Sequence, residues 1–192
     1  MTQLLLVVTI GASVLAFATG GALFEWFALW PLGGGFAPGQ LATYALLHGG
    51  LLHLAFNMYG LWMFGKELER LWGGRRLLQY YVVSVLVAGL VQLLVASEAP
   101  VPYPTVGASG GLFGLLLGYA MLFPHRTIML LFPPIPMPAW LFAVLYGVIE
   151  LTLGVSGQAS GVAHFAHLGG MVGGFLMIRY WRRQPPFGSR RR

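Results

Sequence analysis

Six long apolar stretches set the pattern of this chain: Leu4–Leu23, Thr43–Phe64, Leu77–Ala96, Thr105–Phe123, Ala139–Leu153 and Gly161–Trp181. A helix needs about 20 residues to cross the hydrocarbon of a bilayer, and each stretch reaches or approaches that length, the fourth and fifth being shortest. The pattern predicts an all-α polytopic membrane protein with six spans. Between the first two stretches, Gly20 to Gln40 mixes Phe24, Trp26, Phe27, Trp30 and Phe36 with glycines and prolines, as an interfacial loop does. From Phe123 to Pro138 the prolines at 124, 133, 134, 136 and 138 exclude a regular helix and predict a connector. The first stretch is read as a retained span. Its Ala12, Ala16 and Ala18 also fit a signal peptide, but no basic segment precedes it and its apolar run exceeds the roughly 7–15 residues usual there.

Composition agrees with this reading. Of 192 residues, 57% are hydrophobic and 8% charged, with mean hydropathy +0.75, far from ordinary soluble domains. The cations fall in alternate loops: Lys66, Arg70, Arg75 and Arg76 after span two, Arg126 after span four, and the rest at the end of span six and beyond. The positive-inside rule places those loops and both termini in the cytoplasm, and the loops around Glu25, Glu98 and Ser156 outside. The net charge of +6 is therefore juxtamembrane and suits anionic lipid headgroups rather than nucleic acid. Residues 1–181 read as one membrane domain, and 182–192 as a basic, disordered cytoplasmic tail. With no cysteine, disulfides and thiol chemistry are excluded.

Polar groups inside apolar spans are costly and point to function. Those present are His48, His53, Asn57, Ser84, Gln92, Ser109, Glu150, His164 and His167. Ser109 stands in Gly107-Ala108-Ser109-Gly110-Gly111 and His167 in Ala166-His167-Leu168-Gly169-Gly170. Flanking glycines leave room for a substrate backbone, and a helix starting at Ser109 aims free N–H groups at a developing oxyanion. His167 suits a general base. No aspartate occurs anywhere, so a Ser-His-Asp triad is excluded and a Ser109–His167 dyad is expected. His53 and Asn57, four apart on one face of span two, offer oxyanion donors. At 1.5 Å per residue they lie roughly 15 and 20 Å along their span, against about 6 Å for Ser109 and 9 Å for His167. Glycines four apart at 110, 114 and 118, and at 169, 170, 173 and 174, predict that spans four and six are close neighbours, although tight packing alone gives the same pattern. Ser84 is expected to bond a backbone carbonyl, and His48 and His164 to serve structure. Glu67 and Glu69 are expected to pair with Arg70 or nearby backbone, and Glu150 to snorkel. With no H-E-x-x-H and no Asp or Cys to complete a site, neither a metal nor another cofactor is expected.

Three of these motifs together resemble the rhomboid intramembrane serine proteases: His53-Leu54-Ala55-Phe56-Asn57 in span two, Gly107-Ala108-Ser109-Gly110 opening span four, and Ala166-His167 followed by Gly170 and Gly174 in span six. The resemblance implies a six-transmembrane-helix rhomboid-like bundle in a bacterial inner membrane, with its site opening to the extracytoplasmic side. It implies Ser109 as nucleophile, His167 as general base, and His53, Asn57 and the Ser109 N–H as oxyanion hole. Substrates would be single-span membrane proteins, reaching the site between spans two and five. Two positions depart from the pattern: Gly39-Gln40 where many members have Trp-Arg, and Phe113 where some have tyrosine. Rival readings are a catalytically silent rhomboid-like protein that binds membrane helices, and a small transporter. The reactive set speaks against the first. Paired charges or broken helices in matching halves, which the second needs, are not seen.

Overall fold

The computed structural model describes residues 1–99, 101–129, 134–157 and 163–182. Its helices are α1 (Thr2–Ala18), α2 (Ala22–Phe27), α3 (Gln40–Thr43), α4 (Leu51–Trp72), α5 (Gly74–Ser97), α6 (Ser109–Leu122), α7 (Ala139–Ser156) and α8 (His164–Arg182). A 3₁₀ turn at Tyr44–Leu46 follows α3. By length and composition α5 and α7 qualify as membrane spans, and α1 and α6 are shorter apolar helices. Large side chains such as Leu52, Leu94 and Val155 point outward, an apolar exterior that suits lipid. The tail from residue 183, Pro133 and the predicted start of span six at Gly161 lie outside the described residues.

Several boundaries differ from the sequence reading: α1 stops at Ala18 with α2 separate from it, and α6 starts at Ser109, Thr105 being bridged to Leu29 instead. Residues 43 to 50 do not continue the second span. They form a tight turn and an extended stretch through Gly49-Gly50, and α4 begins at Leu51. His53 and Asn57 therefore sit in the first two turns of α4, nearer its start than the depth estimate placed them. The proline-rich connector also holds order: Thr127–Met129 (β1) and Pro136–Pro138 (β2) pair antiparallel.

The centre is the mutual packing of α5, α6 and α8. A Cβ added at Gly170 would drive into the carbonyl of Gly110, and one at Gly114 into Ser84 and the carbonyl of Gly170. Only glycine permits this backbone contact, and spans four and six are neighbours as expected. Tyr80 Oη donates to the Gly114 carbonyl at 2.9 Å, and Ser84 Oγ to the Tyr80 carbonyl at 2.9 Å. The start of α6 is pinned separately. Leu29 and Thr105 exchange two backbone hydrogen bonds of 2.9 Å, and the Gly107 N–H donates to the Tyr44 carbonyl at 3.0 Å.

In the loop before α4, Gln40 is a buried hydrogen-bonded anchor. It is 3% exposed, and its Oε1 accepts the N–H groups of Trp30 and Ala37 at 3.2 Å each. Its Nε2 donates to the carbonyls of Trp26 and Gly35 at 3.3 Å each. At the opposite end of the bundle, Glu67 bonds both Arg70 and Arg126. The Arg126 guanidinium in particular holds the Glu67 carboxyl below its ordinary range. Glu69 accepts the Thr2 N–H at 2.8 Å.

Candidate active site

Three helix starts converge on one end of the bundle, carrying His53 and Asn57 on α4, Ser109 on α6 and His167 on α8. Ser109 is the first residue of its helix because Gly107, at φ +130°, turns the chain sharply into it. That φ strains any L side chain. The absent Cβ also matters: built there, it would stand 2.8 Å from His53 Cε1 and 2.9 Å from His53 Nε2. The edge of the His53 ring thus lies against the backbone just before Ser109.

His48 holds the same turn from below. Ser13 Oγ donates to the Leu46 carbonyl at 2.9 Å, so its single hydrogen is spent, and His48 Nδ1 must donate to it across 3.0 Å. This tautomer leaves Nε2 free to accept the Ala108 N–H at 3.4 Å. The structural role expected of His48 is what its contacts describe.

Ser109 Oγ and His167 Nε2 lie 2.8 Å apart. The residues are 58 positions apart in the chain, joined through the glycine contact of α6 and α8. Phe113, one turn beyond Ser109, lies flat on the His167 ring, and Tyr146 of α7 packs on Phe113 with centroids 6.3 Å apart. Asn57 is buried. Its Nδ2 donates to the His53 carbonyl at 2.9 Å, while its Oδ1 has no partner among the described residues.

Glu150 departs from expectation. It does not snorkel: it is 8% exposed, and its Oε2 accepts from His164 Nδ1 at 2.6 Å and lies 2.8 Å from His167 Nδ1. His164, expected to be structural, is the second imidazole on this carboxylate. The signal was present in the sequence as His164 and His167 three apart on one helix face, with one acid in an otherwise uncharged span. Glu150, His164 and His167 bring three ligating atoms within 4.8 Å of one another. Such a donor set suits zinc in kind. The separations from Oε2 are hydrogen-bond lengths, however, and His167 is already engaged with Ser109 through its other nitrogen.

Beside the site an apolar cavity of about 360 Å³ lies between α4, α6 and α7, lined by Phe56, Tyr59, Leu112, Phe113, Phe142 and Tyr146 among others. Phe113 belongs both to this cavity and to the face of His167.

The description "Rhomboid domain" fits residues 37–184, the stretch that matches that family's sequence model. Rhomboid protein 1, mitochondrial, of Saccharomyces cerevisiae is 35% identical over 69% of this chain and 38% of its own length. Rhomboid protease GluP of Bacillus subtilis is 30% identical over 71% of this chain and 25% of its own. Rhomboid protease GlpG of Yersinia pestis is 29% identical over 94% of this chain and 62% of its own. The chain thus spans between a quarter and somewhat under two thirds of the length of these relatives. Its matched residues take in every helix that carries the cluster around Ser109, and the chain belongs to the rhomboid family of integral membrane proteins.

Proposed function

We propose that this chain is an intramembrane serine endopeptidase that cuts transmembrane segments of single-span membrane proteins. The observation that carries the reading is the 2.8 Å approach of Ser109 Oγ to His167 Nε2, within the reach a general base needs. Ser109 gives its proton to His167 Nε2 as Oγ attacks the scissile carbonyl carbon, and the carbonyl electrons move onto oxygen. The oxyanion is met by the Ser109 N–H, the His53 ring and the second amide hydrogen of Asn57, whose first is held by the His53 carbonyl. Collapse expels the amine, which takes the proton from His167, and leaves an acyl ester on Ser109. His167 then deprotonates a water that hydrolyses the ester and restores Ser109.

The apolar cavity is suited to receiving the side chains of an unwound substrate segment. A helix hides its carbonyls in hydrogen bonds and must open locally before attack. Six spans, with both termini on the cytoplasmic side of a bacterial inner membrane and the site toward the outer side, complete the reading. The distribution of Lys and Arg supports this orientation.

The test is cleavage of a single-span substrate in liposomes by the parent protein and by Ser109→Ala and His167→Ala. Loss of cleavage in both variants, with fluorophosphonate labelling confined to proteins that retain Ser109, is expected. Undiminished cleavage in either variant ends the dyad assignment.

A further inference from the structure

Glu150 is the one carboxylate among the described residues that is buried. Among the described residues no Lys or Arg pairs with it, and its partners are two imidazoles. Its helix, α7, is otherwise turned outward, with Ala139, Phe142 and Ala143 as its other buried residues. Taking a carboxylate out of water is expensive unless hydrogen bonds replace hydration, and on this helix nothing but contact with α8 supplies them.

Resting on the protease reading above, we propose that Glu150 is a positioning residue for His167, so that the reactive unit is a relay Ser109–His167–Glu150 with His164 holding the carboxylate in place. Nδ1 of His167 faces a carboxylate oxygen, which accepts and does not donate, so the ring carries its proton on Nδ1 and presents the lone pair of Nε2 to Ser109. As Ser109 gives up its proton the ring becomes imidazolium, and the carboxylate stands beside the new charge. No proton passes to Glu150 at any step, and the covalent chemistry is unchanged. In this structure the Nδ1 approach is oblique, leaving that nitrogen without an in-line partner.

The geometry reaches further along α7. Phe142, Tyr146 and Glu150 are spaced by four on one face. The first two line the apolar cavity and the third touches the base.

The experiment compares the parent protein, Ser109→Ala, Glu150→Gln and Glu150→Asp in liposomes, measuring kcat, KM and thermal unfolding, each with and without chelator. Glu150→Gln is expected to lower kcat by about 10²-fold to 10⁴-fold while KM stays within about threefold. Glu150→Asp recovers part of the loss. The parent protein is expected to show a low-field proton resonance from His167 Nδ1–H held by the carboxylate, told apart from that of His164 by its loss in His167→Ala. Chelator leaves every value unchanged.

A folded Glu150→Gln protein that turns over like the parent overturns the relay. So does loss of parent activity on chelation, which would assign the three residues to a metal instead. If Glu150→Gln does not fold, the resonance in the parent protein decides, and its absence overturns the proposal. Indistinguishable parent and Ser109→Ala proteins would instead remove the protease reading on which the relay rests.

Discussion

The ring of Phe113 lies on the imidazole of His167 with centroids 4.4 Å apart and planes within 4° of parallel. The stack fixes the one rotation of His167 that its two ring nitrogens leave weakly determined. An aromatic pair of this kind is worth about 0.5–1.5 kcal/mol beyond burial. Phe113→Ala is expected to lower kcat by roughly threefold to tenfold on that basis, and Phe113→Tyr to leave it near the parent value. Steady-state cleavage in liposomes checks both, and an unaffected Phe113→Ala enzyme would leave the stack without a role.

Two glycines are expected to fail differently when changed to alanine. At Gly107 the new Cβ meets the His53 ring and strains a positive φ, so activity falls steeply while the bundle remains folded. At Gly170 it meets the Gly110 carbonyl, so α6 and α8 are forced apart and stability falls with activity. Overpacking typically costs about 1–3 kcal/mol, more where backbone is struck. Thermal unfolding in detergent separates the two, and equal melting behaviour would contradict the distinction.

Gln40→Ala removes four hydrogen bonds at the centre of a loop. At about 1 kcal/mol for each net bond, less what water restores, a loss of roughly 2–4 kcal/mol is expected. Limited proteolysis should cut the Gly20–Gln40 segment sooner. Gln40→Glu sets a buried carboxylate oxygen against the carbonyls of Trp26 and Gly35 and should lose at least as much as Gln40→Ala. A loop equally resistant in all three proteins would refute the anchor.

The pairing of Glu67 with Arg126 and Arg70 gives an acid-dependent contribution. Because the folded carboxyl titrates below its ordinary value, its stabilising contribution is complete above the unfolded value of about 4.3 and is lost as pH falls through the folded one. The group is partly exposed, so the effect is modest and screened by salt. Glu67→Gln should unfold more readily than the parent at neutral pH, the difference vanishing in acid. A gap that persists at low pH would rule this linkage out.

Ser109 and His167 could be singled out before any coordinates because each is a polar group in an apolar run beside small residues, and His53 and Asn57 because they stand four apart on one apolar helix. The spacing of glycines on α6 and α8 also announced their contact. Glu150 could not be read the same way. Its value lies in a meeting between α7 and α8 that no local spacing encodes, and a lone acid near a helix end reads equally well as snorkelling. The start of α4 was obscured for a related reason: Leu41 to Leu47 is as apolar as the helix it precedes. What separates them is the extended passage through Gly49-Gly50, a backbone property that hydropathy does not carry. Gln40 likewise showed no sign of its four partners, Trp26, Trp30, Gly35 and Ala37, which all precede it in the loop.

The carboxylate of Glu150 and the two imidazoles that meet it are on successive helices, α7 and α8. Synthesis delivers α7 first, so during biogenesis a bilayer-length helix carries an acid whose partners His164 and His167 have yet to be made. Arrival of α8 supplies both partners in one event, His167 being one of them. A chain that stops before α8 thus leaves the Glu150 carboxylate without either imidazole that meets it in the folded protein.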